Sequence, residues 1–249
     1  MMTEFPASSV SKCRRTCRVR RDLLWVMATG VAAAFACVAV AAEPRAPRDA
    51  IVADFTKPLA EPWRWIREHR GAWRVSPAGL QVLVEPGNMW GGDNDARNVL
   101  VREIPPAWRE SVEIVAELSH RPRKRWEQAD LAWYYDDSTM VKLGLEIEYG
   151  RTNVVMGREE GDKTETIAIV PYPHEQVRLR LRVVGNEIVG SFRGAHGGEW
   201  TEAGRCKLPV APEGKGAHAS LQFYQGEAGS DRWVNVSALL IKKLPAPNR

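Results

Sequence analysis

After residue 50, apolar and polar residues alternate with a period of two along most of the chain. In residues 177–186, VRLRLRVVGN, the odd positions up to Val183 are aliphatic and the even positions up to Arg182 are arginines. Successive side chains of a strand point to opposite faces, so this pattern predicts a strand with one buried face. Roughly a dozen such runs are separated by Gly, Pro, Asn or Asp. We therefore expect an all-β domain, a two-sheet antiparallel β-sandwich of the jelly-roll type.

One predicted hairpin, residues 131–150, carries charges on an otherwise apolar strand. Leu131 and Trp133 are the apolar positions of its first strand, and the odd positions from Val141 to Ile147 are those of its second. Both sets reach one core only with a loop of three residues, 136–138, or of five, because a slip of one residue reverses the faces. The opposite face then carries Ala132, Tyr134, Lys142, Gly144, Glu146 and Glu148.

The first part of the chain has a different composition. Residues 1–21 contain six lysines and arginines, and residues 23–42 are uncharged and end in small residues. A basic leader, an apolar run and an Ala-x-Ala site are typical of a secretory signal peptide. We predict a signal peptide over residues 1–42, a linker over 43–50, one sandwich domain over 51–244 and a tail over 245–249.

The leader predicts export to the periplasm or the extracellular space. If it is not cleaved, its apolar run of about twenty residues would instead anchor the protein in a membrane. The adjacent Arg20 and Arg21 leave both the general secretory route and twin-arginine export open.

Charge and cysteine content narrow the classes of function. Beyond residue 42 the chain has 29 basic and 29 acidic residues, so the domain lacks the basic surface typical of nucleic-acid binding. Cys206 is the one cysteine beyond the leader, which excludes an internal disulfide and a Cys-x-x-Cys metal pair. We expect no metal or cofactor, with calcium at the GGDND loop, residues 91–95, as the alternative. The oligomeric state is left open.

The hairpin also resembles a known motif. Residues 126–148, WEQADLAWYYDDSTMVKLGLEIE, are similar to the signature of a bacterial domain family labelled as of unknown function. That family has a concanavalin A-like lectin/glucanase fold and is similar to the C-terminal domain of certain beta-xylosidases. The shared residues include Gln128, Ala129, Leu131, Val141, Lys142, Leu143, Gly144 and Glu146, whereas Trp126 stands at a tyrosine position and Asp130 replaces a glycine. The resemblance covers about residues 61–243 and implies the fold, while the label supplies no activity.

The candidate site follows from the residue types near this hairpin. Sugar-binding clefts combine flat aromatic surfaces with a few fixed polar groups. The loop NMWGGDND supplies an indole and polar side chains, and we expect it to lie beside the polar face of the hairpin. The predicted ligand-binding residues are Trp90, Asp93, Asn94, Tyr134, Lys142, Glu146 and Arg180. A glycan or polysaccharide is the expected partner, and a non-catalytic carbohydrate-binding domain is the favoured function.

Two other functions stay open. Glu146 and Glu148 are alternate residues of one strand, about 6.5–7 Å apart at Cα, and a glycoside hydrolase needs two carboxylates. If they are aligned with related glucanases, however, the last catalytic position falls on Gly150 or Arg151. A half-exposed strand face paired with the arginines of VRLRLRV is the structural alternative for these glutamates. The third possibility is a cell-envelope interaction or structural protein without a small ligand.

Overall fold

A computed structural model describes residues 49–245. The predicted signal peptide, most of the predicted linker and most of the tail lie outside these residues. The first strands are β1 (Ala50–Ala53), β2 (Arg64–Ile66), β3 (Trp73–Ser76), β4 (Gly79–Leu83), β5 (Val99–Glu103), β6 (Ser111–Ser119) and β7 (Gln128–Asp136). They are followed by β8 (Thr139–Glu148), β9 (Arg151–Glu160), β10 (Lys163–Pro171), β11 (Gln176–Val184), β12 (Glu187–Gly194), β13 (Thr201–Lys207), β14 (His218–Tyr224) and β15 (Trp233–Lys243). Two short 3₁₀ turns cover Arg70–Ala72 and Pro106–Trp108.

The strands form two antiparallel sheets, which confirms the predicted fold class. The eight-stranded sheet has the order β13-β12-β11-β6-β15-β4-β3, with β1 paired to β15. The seven-stranded sheet has the order β10-β9-β8-β7-β14-β5-β2. Neither helix in the described part of the chain is long and apolar enough to cross a lipid bilayer.

The core lies between the sheets and follows the alternation in the sequence. Buried positions alternate along β6 and β11, and Leu179 and Leu181 are fully enclosed while Arg180 between them points outward. Trp133, Phe55 and Phe223 are among the largest fully buried side chains. The removal of these apolar surfaces from water is the main favourable contribution to folding.

The β7–β8 hairpin has the predicted register. Leu131 lies opposite Leu143 and Tyr134 lies opposite Met140, so the odd-numbered aliphatic residues reach the core. An irregularity between Tyr134 and Asp136 absorbs one residue before the turn. Lys142 and Glu146 therefore lie on the outer face of the seven-stranded sheet.

Part of that outer face is covered by another segment of the chain. The segment between β4 and β5, residues 84–98, crosses it and is called the cover loop below. Met89 and Ala96 of this loop belong to a second apolar cluster with Tyr134, Met140 and Tyr224. The cover loop thus encloses polar strand positions that the alternation alone would assign to solvent.

Candidate functional site

A cleft of about 360 Å³ lies on the outer face of the seven-stranded sheet, beside the cover loop. Its floor comes from β7, β8 and β9, and its sides come from the cover loop and from the loop that precedes β7. The residues that matter chemically are Trp90, Asp93, Trp126, Gln128, Glu146 and Glu148. The cleft thus combines two indoles with several oxygen acceptors.

Lys142 is the central cation of the cleft floor, and its side chain is buried. Its Nζ donates to Gln128 Oε1, to Glu146 Oε2 at 3.3 Å and to the Tyr224 hydroxyl at 3.4 Å. The Trp90 ring centroid lies 4.6 Å from the same nitrogen, a distance suited to a cation–π contact. An ammonium group has three N–H donors, so these three acceptors occupy all of them.

The Trp90 indole is held by backbone shape as well as by this charge. A Cβ on Gly157 would lie 2.4 Å from Cη2 of Trp90, so the ring rests directly on the bare backbone of β9. The Asn88 side chain accepts from the Trp90 amide at 3.1 Å and donates to the Trp90 carbonyl at 2.8 Å. The Gly91 amide donates to Glu159 Oε1 at 3.1 Å. The indole is therefore fixed before any ligand arrives.

The opposite side of the cleft is the Trp126 indole, which is 47% exposed. Its Nε1 donates to Glu148 Oε1 at 2.7 Å, and its carbonyl accepts from Gln128 Nε2 at 2.9 Å. The Arg125 guanidinium lies 4.5 Å from the ring centroid and 3.5 Å from Glu148 Oε2. Trp126 thus presents an accessible aromatic surface in a fixed orientation.

Two further carboxyl groups lie behind the floor. Burial raises the pKa of Asp130 to about 7, although the Lys142 ammonium, 4.0 Å from its Oδ2, opposes the shift. Burial also raises the pKa of Glu159 to about 7, against the hydrogen bond from Gly91. Burial holds the pKa of the Tyr224 hydroxyl well above its usual value. The single Lys142 ammonium lies near several buried carboxyl groups and cannot neutralise all of them. Some of these carboxyl groups therefore stay protonated near neutral pH.

The structure brings together four of the predicted binding residues, Trp90, Asp93, Lys142 and Glu146, and adds Glu148 from the alternative pair. Asn94 lies on the cover loop but lines a neighbouring depression, next to Ser138. Tyr134 lies beneath the cover loop, where its hydroxyl donates to Asp137 Oδ1 at 2.8 Å.

The prediction that Arg180 joins this face is wrong. Arg180 belongs to β11 of the eight-stranded sheet, where its guanidinium lies 4.2 Å from the Trp200 ring and 3.7 Å from Glu113. The structural interpretation that pairs Glu146 and Glu148 with the arginines of β11 fails for the same reason. Alternation shows which residues of a strand share a face, but it does not show to which sheet the strand belongs.

Several site residues were missed by reasoning from the sequence. Gln128 lies opposite Glu146, and Asp130 lies opposite Gly144, so an extension of the predicted hairpin register beyond Leu131 would have placed both on the polar face. Glu159 and Tyr224 come from β9 and β14, and no local pattern links those strands to Lys142. Across residues 49–245, no group of three or more His, Cys, Asp or Glu side chains is arranged to hold a metal ion.

Two antiparallel sheets with a cleft on one outer face define a β-sandwich of the concanavalin A-like class. The family model of the beta xylosidase C-terminal concanavalin A-like domain matches residues 52–227. The chain belongs to this carbohydrate-related family, and the predicted resemblance is confirmed. No curated protein matches the chain.

Solved structures agree on the fold. The GH43 BlXynB protein from Bacillus licheniformis has a TM-score of 0.68 at 14% identity, with 78% of this chain and 39% of that chain covered. Xylan beta-1,4-xylosidase from Bacillus halodurans has a TM-score of 0.67 at 15% identity, with 77% and 38% covered. A functionally unknown protein from Saccharomyces cerevisiae has a TM-score of 0.52 at 12% identity, with 75% and 97% covered. This chain therefore spans about two fifths of the two bacterial proteins, and the likeness concerns the fold.

Proposed function

We propose that this chain is an exported, non-catalytic carbohydrate-binding domain and that the cleft between Trp90 and Trp126 binds a glycan. The observation that carries the proposal is the half-exposed Trp126 indole beside a floor of fixed oxygen acceptors. An indole face covers the C–H surface of a sugar ring, and carboxylate and amide groups bond its hydroxyls. The basic and apolar leader supports the export part of the proposal.

The rigidity of the cleft supports binding further. Trp126 is anchored through its Nε1 to Glu148, and Gln128 is anchored through Lys142. A ligand that enters such a site orders few side chains, and this lowers the entropy cost of association. The named activity of the Bacillus halodurans relative makes xylo-oligosaccharides the first ligands to test.

A hydrolase is the second candidate because Glu146 and Glu148 both line the cleft. Each of them accepts a hydrogen bond from a fixed donor, Lys142 for Glu146 and Trp126 for Glu148. Such contacts suit carboxylates that orient a ligand, whereas a glycoside hydrolase also needs a carboxylic acid that gives a proton to the leaving group. The binding proposal therefore comes first.

The experiment is a glycan microarray with the purified full chain, followed by titration of the best oligosaccharide. Trp126→Ala should weaken binding by about two- to twelvefold, because an aromatic contact contributes about 0.5–1.5 kcal/mol beyond the area that it buries. Trp200→Ala is the matched control, because Trp200 packs against Arg180 of the opposite sheet, and this variant should bind like the wild type. Absence of any glycan signal, or equal binding by the Trp126→Ala variant, would reject the proposal. Release of reducing sugar that disappears in Glu146→Gln would favour the hydrolase.

A further inference from the structure

Resting on the proposed function, we propose that the cleft prefers a saccharide that carries a positive charge, an amino sugar with a free ammonium group, over its neutral and carboxylate-bearing analogues. The charged residues that line the cleft are Asp93, Lys142, Glu146 and Glu148. Three of these are acidic and one is basic. The charge that a ligand meets in the cleft therefore depends on whether the Lys142 ammonium can contact it.

Lys142 is not available. Its three N–H donors are taken by Gln128, Glu146 and Tyr224, and the Trp90 ring covers it. A ligand carboxylate cannot reach this ammonium without breaking a buried hydrogen bond. Lys142 thus acts as a positioning residue that fixes Gln128 and Glu146.

The acceptors that remain point to a donor-rich ligand. Glu146 is 5% exposed, and only its Oε2 is bonded to Lys142, so Oε1 has no hydrogen-bond donor among the described residues. The Asp93 carboxylate likewise accepts no hydrogen bond within the part of the chain that the structure describes. Both residues line the cleft. Glu146 Oε1 is almost enclosed and lacks a donor, so it is satisfied best by a ligand N–H or O–H group, whereas Asp93 is exposed and adds negative charge at the side of the cleft.

Gln128 offers little to an anion. Its Oε1 accepts from Lys142 and one N–H of its Nε2 is given to the Trp126 carbonyl, which leaves a single N–H. The Arg125 guanidinium, beside the Trp126 ring, is already 3.5 Å from Glu148. The available groups are therefore mostly acceptors, and the unpaired charges are negative.

A ligand ammonium would pair with Glu146 Oε1, which is almost enclosed and where charges interact more strongly than in water, or with the exposed Asp93 of the cover loop. A ligand carboxylate would meet the same two groups as like charges. A neutral hydroxyl in that position forms the hydrogen bond but gains no attraction between opposite charges. The expected order of affinity is therefore amino sugar, then neutral sugar, then uronic acid.

The test compares three β-1,4-linked oligomers of equal length, built from glucosamine, glucose and glucuronate, by titration calorimetry with the full chain at pH 5. The ring amine of glucosamine lies beside electron-withdrawing oxygens and is less basic than a lysine amine, and this pH keeps it mostly protonated. We expect the glucosamine oligomer to bind about tenfold or more tightly than the glucose oligomer, and the glucuronate oligomer to bind weakest. Raised salt should reduce the difference, since it is electrostatic.

Asp93→Asn tests the charge term on an exposed loop residue, and Glu146→Gln tests it on the floor. Each should bring the three affinities closer together by severalfold, while Glu113→Gln on the opposite sheet should leave their order unchanged. Equal binding of the three oligomers, or preference for the glucuronate oligomer, overturns this inference while binding itself stands. No binding of any saccharide, here or on the microarray, overturns the proposed function itself.

Discussion

On the outer face of the seven-stranded sheet Lys142 lies 4.6 Å from the Trp90 ring, and on the eight-stranded sheet Arg180 lies 4.2 Å from the Trp200 ring. Each cation also faces a glutamate, at 3.3 Å for Glu146 and 3.7 Å for Glu113. Side-chain exposure separates the two pairs. It is 4% and 7% in the first pair and 21% for both members of the second.

The cover loop accounts for this difference. It crosses β7, β8 and β14 and excludes water from Lys142, whereas Trp200 shields only part of Arg180. Removal of one partner of a buried ion pair strongly destabilises the protein, because it leaves an uncompensated buried charge. An exposed pair contributes little, since water and salt replace either partner. The same combination of cation, indole and glutamate therefore forms a rigid cleft floor on one sheet. On the other sheet it forms a partly exposed surface where substitutions should cost little stability.

The largest effect is expected for Lys142→Met. This change leaves Glu146 and Asp130 without their cation and should lower the free energy of unfolding by about 3–5 kcal/mol. Urea denaturation monitored by circular dichroism measures it. The double variant Lys142→Met with Glu146→Gln should recover part of the loss, because it removes the orphaned charge as well. A single variant as stable as the wild type would contradict the role of Lys142.

The second effect concerns pH. The folded state raises the pKa of Asp130 from 3.8 to about 7, so it binds a proton that the unfolded state releases. Stability from this group is therefore present below about pH 4 and is lost as the pH rises to about 7. Relative to the wild type, Asp130→Asn should become more stable across that range, by on the order of 2 kcal/mol, because it cannot ionise. Denaturation midpoints at pH 4.5 and pH 8 measure the change.

Glu159 adds to the same dependence, since its pKa is raised from 4.5 to about 7. Glu159→Gln should therefore flatten the remaining slope, and Glu113→Gln on the opposite sheet serves as the matched control. A wild-type pH profile that Asp130→Asn leaves unchanged would show that Asp130 does not titrate in this window.

The third prediction concerns the close contact between the Trp90 ring and Gly157. Gly157→Ala places a Cβ where it would be 2.4 Å from the indole, so the ring must move. We expect a loss of about 1–3 kcal/mol in stability, as for other overpacked sites, together with weaker glycan binding. Gly194→Ala in β12 is the control, because its nearest atom would be 3.9 Å away. If both variants behave alike in denaturation and binding, the close contact is not what holds Trp90.

The smallest effect is expected for Arg180→Gln. The loss of an ion pair and a cation–π contact at a partly exposed site should cost no more than about 1 kcal/mol. Raising the salt concentration should shrink that difference further. A loss as large as that of Lys142→Met would remove the contrast between the two faces.

The sequence predicted the fold and the inward side of the hairpin because both depend on local alternation, as the pairing of Leu131 with Leu143 shows. It also predicted that the loop with Trp90 lies beside the polar face of the hairpin, and the Trp90 ring centroid lies 4.6 Å from Lys142 Nζ. It did not predict that Lys142 is buried, because coverage depends on the path of the cover loop. It assigned Arg180 to the wrong sheet. Alternation within one strand shows which residues share a face, but the sheet to which a strand belongs depends on how all the strands pair.

The exposure of Trp126 has a consequence for spectroscopy. At 47%, it is the most exposed tryptophan among the described residues. Acrylamide should quench its fluorescence before that of the enclosed indoles, and a saccharide that enters the cleft should protect it. The protein thus contains an intrinsic optical reporter at the mouth of its own cleft, and occupancy can be followed without any label.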